Sequence, residues 1–174
     1  MEKEELKQGN VSLILEGYID IFSSFDPRTF SEKALSVDFL EEAKRAARDM
    51  IGENTELRLL IPKEKRKINE EMKIKTRLRE HFHKHFKEKE KEIKKIKFQG
   101  LGWVFLGAVF IFIASLFYKR EGYLFNFLEI LLTPAGWFTF WEGLGKIFIV
   151  SNEKKPDYEF YKKMSRARII FSGY

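Results

Sequence analysis

KEIKKIKFQGLGWVFLGAVFIFIASLFY, residues 91–118, joins a lysine-rich run to the most apolar run of the chain. From Phe98 to Tyr118 there are 21 residues and no charge. As a helix this segment is about 30 Å long at ~1.5 Å per residue, which matches the hydrocarbon thickness of a bilayer. A soluble core helix of that length keeps a polar face; this one has none, so 98–118 is predicted to be a transmembrane helix. Gly100, Gly102, Gly107, Ala108, Ala114 and Ser115 supply small residues that let a second helix come close.

Four residues, 119–122, lead into a second apolar stretch at 123–141, YLFNFLEILLTPAGWFTFW. So short a connection predicts an antiparallel two-helix transmembrane hairpin. The second stretch is less uniform, because it contains Asn126, Glu129 and Pro134. Between Lys84 and Lys97 stand seven lysines against three glutamates, whereas the loop between the spans offers only Lys119 and Arg120. More lysines follow the second span: Lys146, Lys154, Lys155, Lys162 and Lys163. Basic residues near span ends are retained on the cytoplasmic side. The expectation is therefore a multi-pass protein of the cell membrane with two spans, a short external loop and both termini cytoplasmic. Trp103, Trp137 and Trp141 all fall towards the inner interface, where amphipathic rings prefer to sit.

The composition is consistent with this division. Charged residues make up 33% of the 174, yet almost none lie in the two apolar stretches, so a negative mean hydropathy describes neither part. The absence of cysteine removes disulfide and thiolate chemistry. The net charge of +6 favours an anionic surface. Three glutamates interleave the lysine run and the run abuts a span, which favours anionic lipid headgroups over nucleic acid. Lys87, Lys89, Lys91, Lys94, Lys95 and Lys97 are the expected lipid contacts.

Residues 1–97 read as a small cytosolic α+β region. Val11–Leu15 is an expected strand, followed by a short helix with Tyr18, Ile21, Phe22 and Phe25 on one face and Asp26-Pro27 as its end. Ser36 is an expected N-cap for a helix whose Leu40, Ala43, Ala47 and Met50 line one side, with Gly52 placed to stop it. Glu56–Ile61 is a second strand. A long basic helix is expected over 67–97, with Ile74, Leu78, Phe82 and Phe86 as its stripe, continuing into the first span or bending at Gly100 and Gly102. Beyond the spans, 142–174 is expected to give an interfacial helix, with Gly143–Val150 lying apolar side down along the inner interface. A short helix from Pro156 follows, and a final strand at Ala167–Ser172 returns to the N-terminal region.

These features, in this order, resemble a family of small two-span membrane proteins of prokaryotes that has no assigned activity. The resemblance is carried by DIFSSFDPRTF (20–30), RLREHFHKHF (77–86), GWFTFWEGL (136–144) and FYKKMSRARIIF (160–171). Glu142-Gly143 stand here where some members have Arg-Pro. The resemblance implies an architecture and a membrane location, and nothing about chemistry.

Several residues are candidates for function. His81 and His85 are spaced i, i+4, a metal-ligand spacing that still lacks a third donor; as flanks of the Phe stripe they need no ligand. Phe82 and Phe86 are the candidate partner-binding residues of a membrane-rooted helix. Glu129 is an ionisable group within the apolar stretch and so a functional candidate, with an outward reach to Lys119 or Arg120 as its structural alternative. Glu142 and Lys146 are expected to form an interfacial ion pair. Asp26-Pro27 reads as a turn, Ser23 and Ser24 lack a nucleophile-elbow pattern, and no cofactor motif is present. The expected function is a non-enzymatic, membrane-anchored binding, scaffolding or regulatory module, acting as a homo-oligomer or with a protein partner. The alternative is an oligomeric pore or proton path that uses Glu129.

Overall fold

The computed structural model describes residues 10–48 and 56–174, which divide into two compact units: Met1–Lys87 with Tyr158–Tyr174, and Glu88–Asp157. The expected roles of Met50 and Gly52 lie outside the described residues.

The first unit is built on three parallel strands, β1 (Asn10–Ile14), β2 (Glu56–Ile61) and β3 (Arg168–Gly173), in the order β1-β2-β3. Val11 lies beside Leu57 and Leu57 beside Ile169, so one register row crosses the sheet. The return of the C-terminal strand to the N-terminal region is thus present, paired to β2. Parallel neighbours require crossovers. The first crossover contains α1 (Val37–Arg48), and the second ends in α5 (Lys155–Arg166). Strands laid down in sequence order with crossovers of one hand place every helix on the same face. The burial pattern agrees. Leu57, Leu59 and Ile61 are fully buried and cluster with Val11, Ile169 and Phe171, with Phe39, Ala43 and Ala47 of α1, and with Phe160 and Met164 of α5. The opposite face carries Ile14, 75% exposed, beside half-buried Leu60 and Ile170.

Local structure follows the sequence closely in α1, where the Ser36 hydroxyl accepts from the Phe39 N–H at 3.5 Å. The expected helix at 18–25 is shorter: a 3-10 turn covers Tyr18–Ile21, and Phe25 is 96% exposed. Two interactions truncate it. Asp20 turns back to accept from the N–H groups of Glu16 and Gly17, at 2.7 and 3.1 Å, and Phe22 instead bridges to Leu35 in extended form. Asp26 then ties the following turn, accepting from Arg28 and from the Ala34 N–H.

α2 is a single helix from Ile68 to Phe117 with Gly100 and Gly102 inside it. Its exposed surface has the expected ion pairs, Lys73–Glu70 at 3.3 Å and Lys94–Glu90 at 3.1 Å. In the first unit, its Ile74, Leu78 and Phe82 are fully buried.

In the second unit the apolar part of α2 packs antiparallel to α3 (Tyr123–Gly145) along a glycine seam. A Cβ on Gly143 would sit 2.6 Å from the Gly100 carbonyl oxygen, and one on Gly107 would sit 2.5 Å from the Phe140 nitrogen. Backbone therefore meets backbone at rungs seven residues apart. At the far end, Phe117 and Phe125 pack with ring centroids 5.7 Å apart. The connecting turn closes at Gly122, whose φ of 132° is open to glycine and little else. After α3 the segment expected as an interfacial helix is helical: π-helical over Lys146–Val150, then α4 (Ser151–Glu153). The wider π turn is anchored by hydroxyl and amide side chains, Ser151 donating to the Ile147 carbonyl and Asn152 to that of Phe148.

Candidate functional site

The main surface feature of the second unit is apolar. α2 is the one helix among the described residues long and apolar enough to cross a bilayer, and only 17% of its most apolar window is buried. Phe105, Phe112 and Leu116 of α2 are exposed, as are Phe127, Ile130 and Phe138 of α3. α3 falls short of the same standard because Asn126, Glu129 and Pro134 interrupt it. Trp103, Trp137 and Trp141 are all at the surface.

The charged residues at the helix ends sort into two groups. Glu142 and Lys146 form the expected ion pair at 2.9 Å. Glu92 is shared by Lys89 at 3.0 Å and Lys154 at 3.4 Å, and these contacts hold its carboxyl below the usual range, with the Lys89 hydrogen bond the largest cause. Lys94 is answered by Glu90. Lys87, Lys91, Lys95 and Lys97 have no ion pair among the described residues and stand exposed. Glu129 is half-buried and does not reach the loop cations: Lys119 lies 5.5 Å over the Tyr118 ring, and Arg120 6.0 Å over that of Phe125.

The Phe82–Phe86 stripe is occupied by the chain itself. Phe82 is fully buried, edge-on to Phe160 of α5 at 6.1 Å. Phe86 is half-buried against Tyr158 at 5.7 Å. Phe82 is therefore not a free partner surface, because α5 carries its own apolar face at Phe160 and Met164 and takes up this part of the stripe, whereas Phe86 stays half-exposed. His81 and His85 do come together, with ring centroids 4.3 Å apart, and Tyr161 lies 5.2 Å from His85. The His81 Nε2 atom is buried without a hydrogen-bond partner. No group of three or more His, Asp or Glu able to hold a metal occurs among the described residues.

That buried imidazole has a consequence for stability. Burial pushes His81 down to about 4, and repulsion from His85, Arg77 and Lys84 acts in the same direction. The unfolded chain titrates at about 6.5. The unfolded state therefore binds the proton first as pH falls, and stability is lost between those two values. Stability of the first unit, measured by denaturant titration of the full chain at pH 7.5, 6 and 4.5, is expected to fall across the series. In His81→Leu that fall is expected to be smaller; an unchanged slope would refute it.

A second cluster had no sequence signal. Glu71, 4% exposed, accepts two hydrogen bonds from Arg66, at 2.8 and 3.0 Å, and one from the Tyr18 hydroxyl at 3.1 Å. The Lys67 N–H donates to the same Tyr18 oxygen at 2.8 Å, fixing the entry to α2. Arg66 holds the Glu71 carboxyl low, and burial pushes the Tyr18 phenol up. Beside it lies an open cleft of about 850 Å³ walled by Tyr18, Ile19 and Phe30 and rimmed by Arg28, Lys67 and Lys73. Arg28 is bound to Asp26 and Lys73 to Glu70, so those cations serve the fold. The cluster escapes sequence reading because Tyr18 and Glu71 are 53 residues apart.

Comparison with protein-family models, curated proteins and solved structures gave no match. The likeness to two-span membrane proteins rests on the motifs quoted above alone.

Proposed function

We propose that the chain is an integral membrane protein in which α2 and α3 cross the bilayer as a hairpin, and that it acts without catalysis as a membrane-anchored binding or scaffolding module. The observation that carries this reading is the exposure of large apolar side chains on both packed helices. Surface such as Phe112, Phe127 and Phe138 is costly in water and neutral in lipid. The seam supports it as well, since close backbone approach through glycine is a common way for helices to associate where the hydrophobic effect gives no drive. The unpaired Lys91, Lys95 and Lys97 precede the apolar half of α2, the place for contacts with anionic headgroups worth about 1 kcal/mol each. They also favour a cytoplasmic location for both ends of the chain. A non-catalytic role is supported by three carboxylates of the first unit that lie near its cleft or turns: Asp20, Asp26 and Glu71 are engaged in holding turns and the start of α2.

Because the chain has no cysteine, single cysteines report topology cleanly. Arg120→Cys is expected to react with an impermeant maleimide on intact cells, and Glu32→Cys and Glu159→Cys only after permeabilisation. The protein is expected to stay in the pellet after alkaline carbonate extraction. Release into the supernatant, or labelling of Glu32→Cys and Glu159→Cys on opposite sides, would overturn the reading.

A further inference from the structure

α3 carries a polar flank that the hairpin leaves without partners. Asn126, Glu129 and Thr133 recur at three- and four-residue spacing, which places them along one side of the helix. Asn126 and Thr133 are exposed and Glu129 half-buried, and none of the three side chains has a hydrogen bond or ion pair among the described residues. Two hydroxyls of the same hairpin are instead satisfied within their own helix: Ser115 donates to the Phe112 carbonyl at 2.7 Å and Thr139 to that of Ala135 at 2.6 Å. Pro134, inside α3, adds a fourth group. It has no N–H, so the Ile130 carbonyl loses its i→i−4 donor, and Ile130 is 73% exposed. Four polar groups thus cluster within about two turns on one flank.

Glu129 also occupies a notable place in the seam. Gly143 and Gly136 meet Gly100 and Gly107, and seven residues further along each helix stand Glu129 and the buried Ala114. A small residue would continue the ladder; a carboxyl stands there instead, at the edge of the interface.

In hydrocarbon each such group is costly unless paired. Snorkelling does not relieve them all. Thr133 is ten residues into α3, about 15 Å along the axis, near the middle of a ~30 Å layer and too short to reach headgroup water. Resting on the two-span reading above, we propose that a second copy of the chain packs against this flank in the bilayer. Both copies insert in the same sense, so a two-fold axis along the membrane normal sets residues of equal depth opposite one another. The groups suit such self-pairing. A carboxamide and a hydroxyl each both donate and accept, and the Glu129 carboxyl and Ile130 carbonyl accept.

The test counts copies. Full-length chain carrying Glu32→Cys and one fluorophore is reconstituted at low density in phosphatidylcholine–phosphatidylglycerol vesicles, and photobleaching steps are counted per spot. Two steps are expected for the wild type, one for Asn126→Leu/Glu129→Leu/Thr133→Val, and two for the control Phe138→Leu on another side of the same helix. A single step in the wild type, or two in the triple variant, would overturn the proposal. Carbonate extraction of the same vesicles separates the causes. An inserted but monomeric wild type removes this inference alone; a chain that leaves the bilayer removes the two-span reading with it.

Discussion

Phe82→Ala is expected to destabilise the first unit by about 3–5 kcal/mol, the range for truncating a fully buried aromatic side chain in a packed core. The size of the effect follows from position. Phe82 has no exposed surface, stands edge-on to Phe160, and continues the column of Ile74 and Leu78 that covers the sheet. A small domain has only about 5–15 kcal/mol in total, so the loss is a large share of it. Pulse proteolysis of the full chain in urea reads this directly, with a cleavage midpoint well below that of the wild type. Phe86→Ala, half-buried against Tyr158, is expected to cost clearly less. An unchanged midpoint for Phe82→Ala, with loss of a bound partner, would instead restore the stripe as a docking surface.

The same two phenylalanines show what the sequence could reveal. Their four-residue recurrence identified a helix and its apolar face, because periodicity is a local property. What covered the face was not local: α5 lies some seventy residues later in the chain, and only folding brings Phe160 to Phe82. The strands divide in the same way. Glu56–Ile61 was legible from its aliphatic run and closing proline, but parallel pairing is a matter of topology, and β2 and β3 are separated by all of α2 to α5. Phe25 misled because i, i+3, i+4, i+7 spacing recurs by chance in a segment this rich in phenylalanine. Asp20 and the Phe22–Leu35 bridge, not the apolar spacing, decide where that turn ends. The Arg66–Glu71–Tyr18 cluster could not be read at all, since charged and phenolic residues in a Lys- and Glu-rich chain look like surface until their burial is seen.

The glycines of α2 give the sharpest contrast between composition and position, and with it the second large effect. Gly102 and Gly107 are equivalent in sequence terms, both small residues in the same apolar run. In space they differ completely: nothing lies within 4 Å of a Cβ at Gly102, whereas one at Gly107 would meet the Phe140 backbone nitrogen at 2.5 Å and the Gly136 oxygen at 2.8 Å. The latter atoms are backbone and cannot rotate away, so the helices must part. Gly107→Leu is therefore expected to push α3 from close glycine contact to at least the ~8–10 Å axial separation of helices held apart by ordinary side chains. Gly102→Leu is expected to leave the seam intact. Spin labels on Gln99→Cys and Leu144→Cys, one position from the Gly100–Gly143 rung, would report the change in reconstituted full-length protein. A longer and broader distance distribution is expected for Gly107→Leu and an unaltered one for Gly102→Leu. Both substitutions add the same side chain to the same helix, so a difference between them isolates seam packing from any general effect on hydropathy or helix propensity. Equal distributions would mean that the backbone contact at Gly107 does not hold the hairpin together.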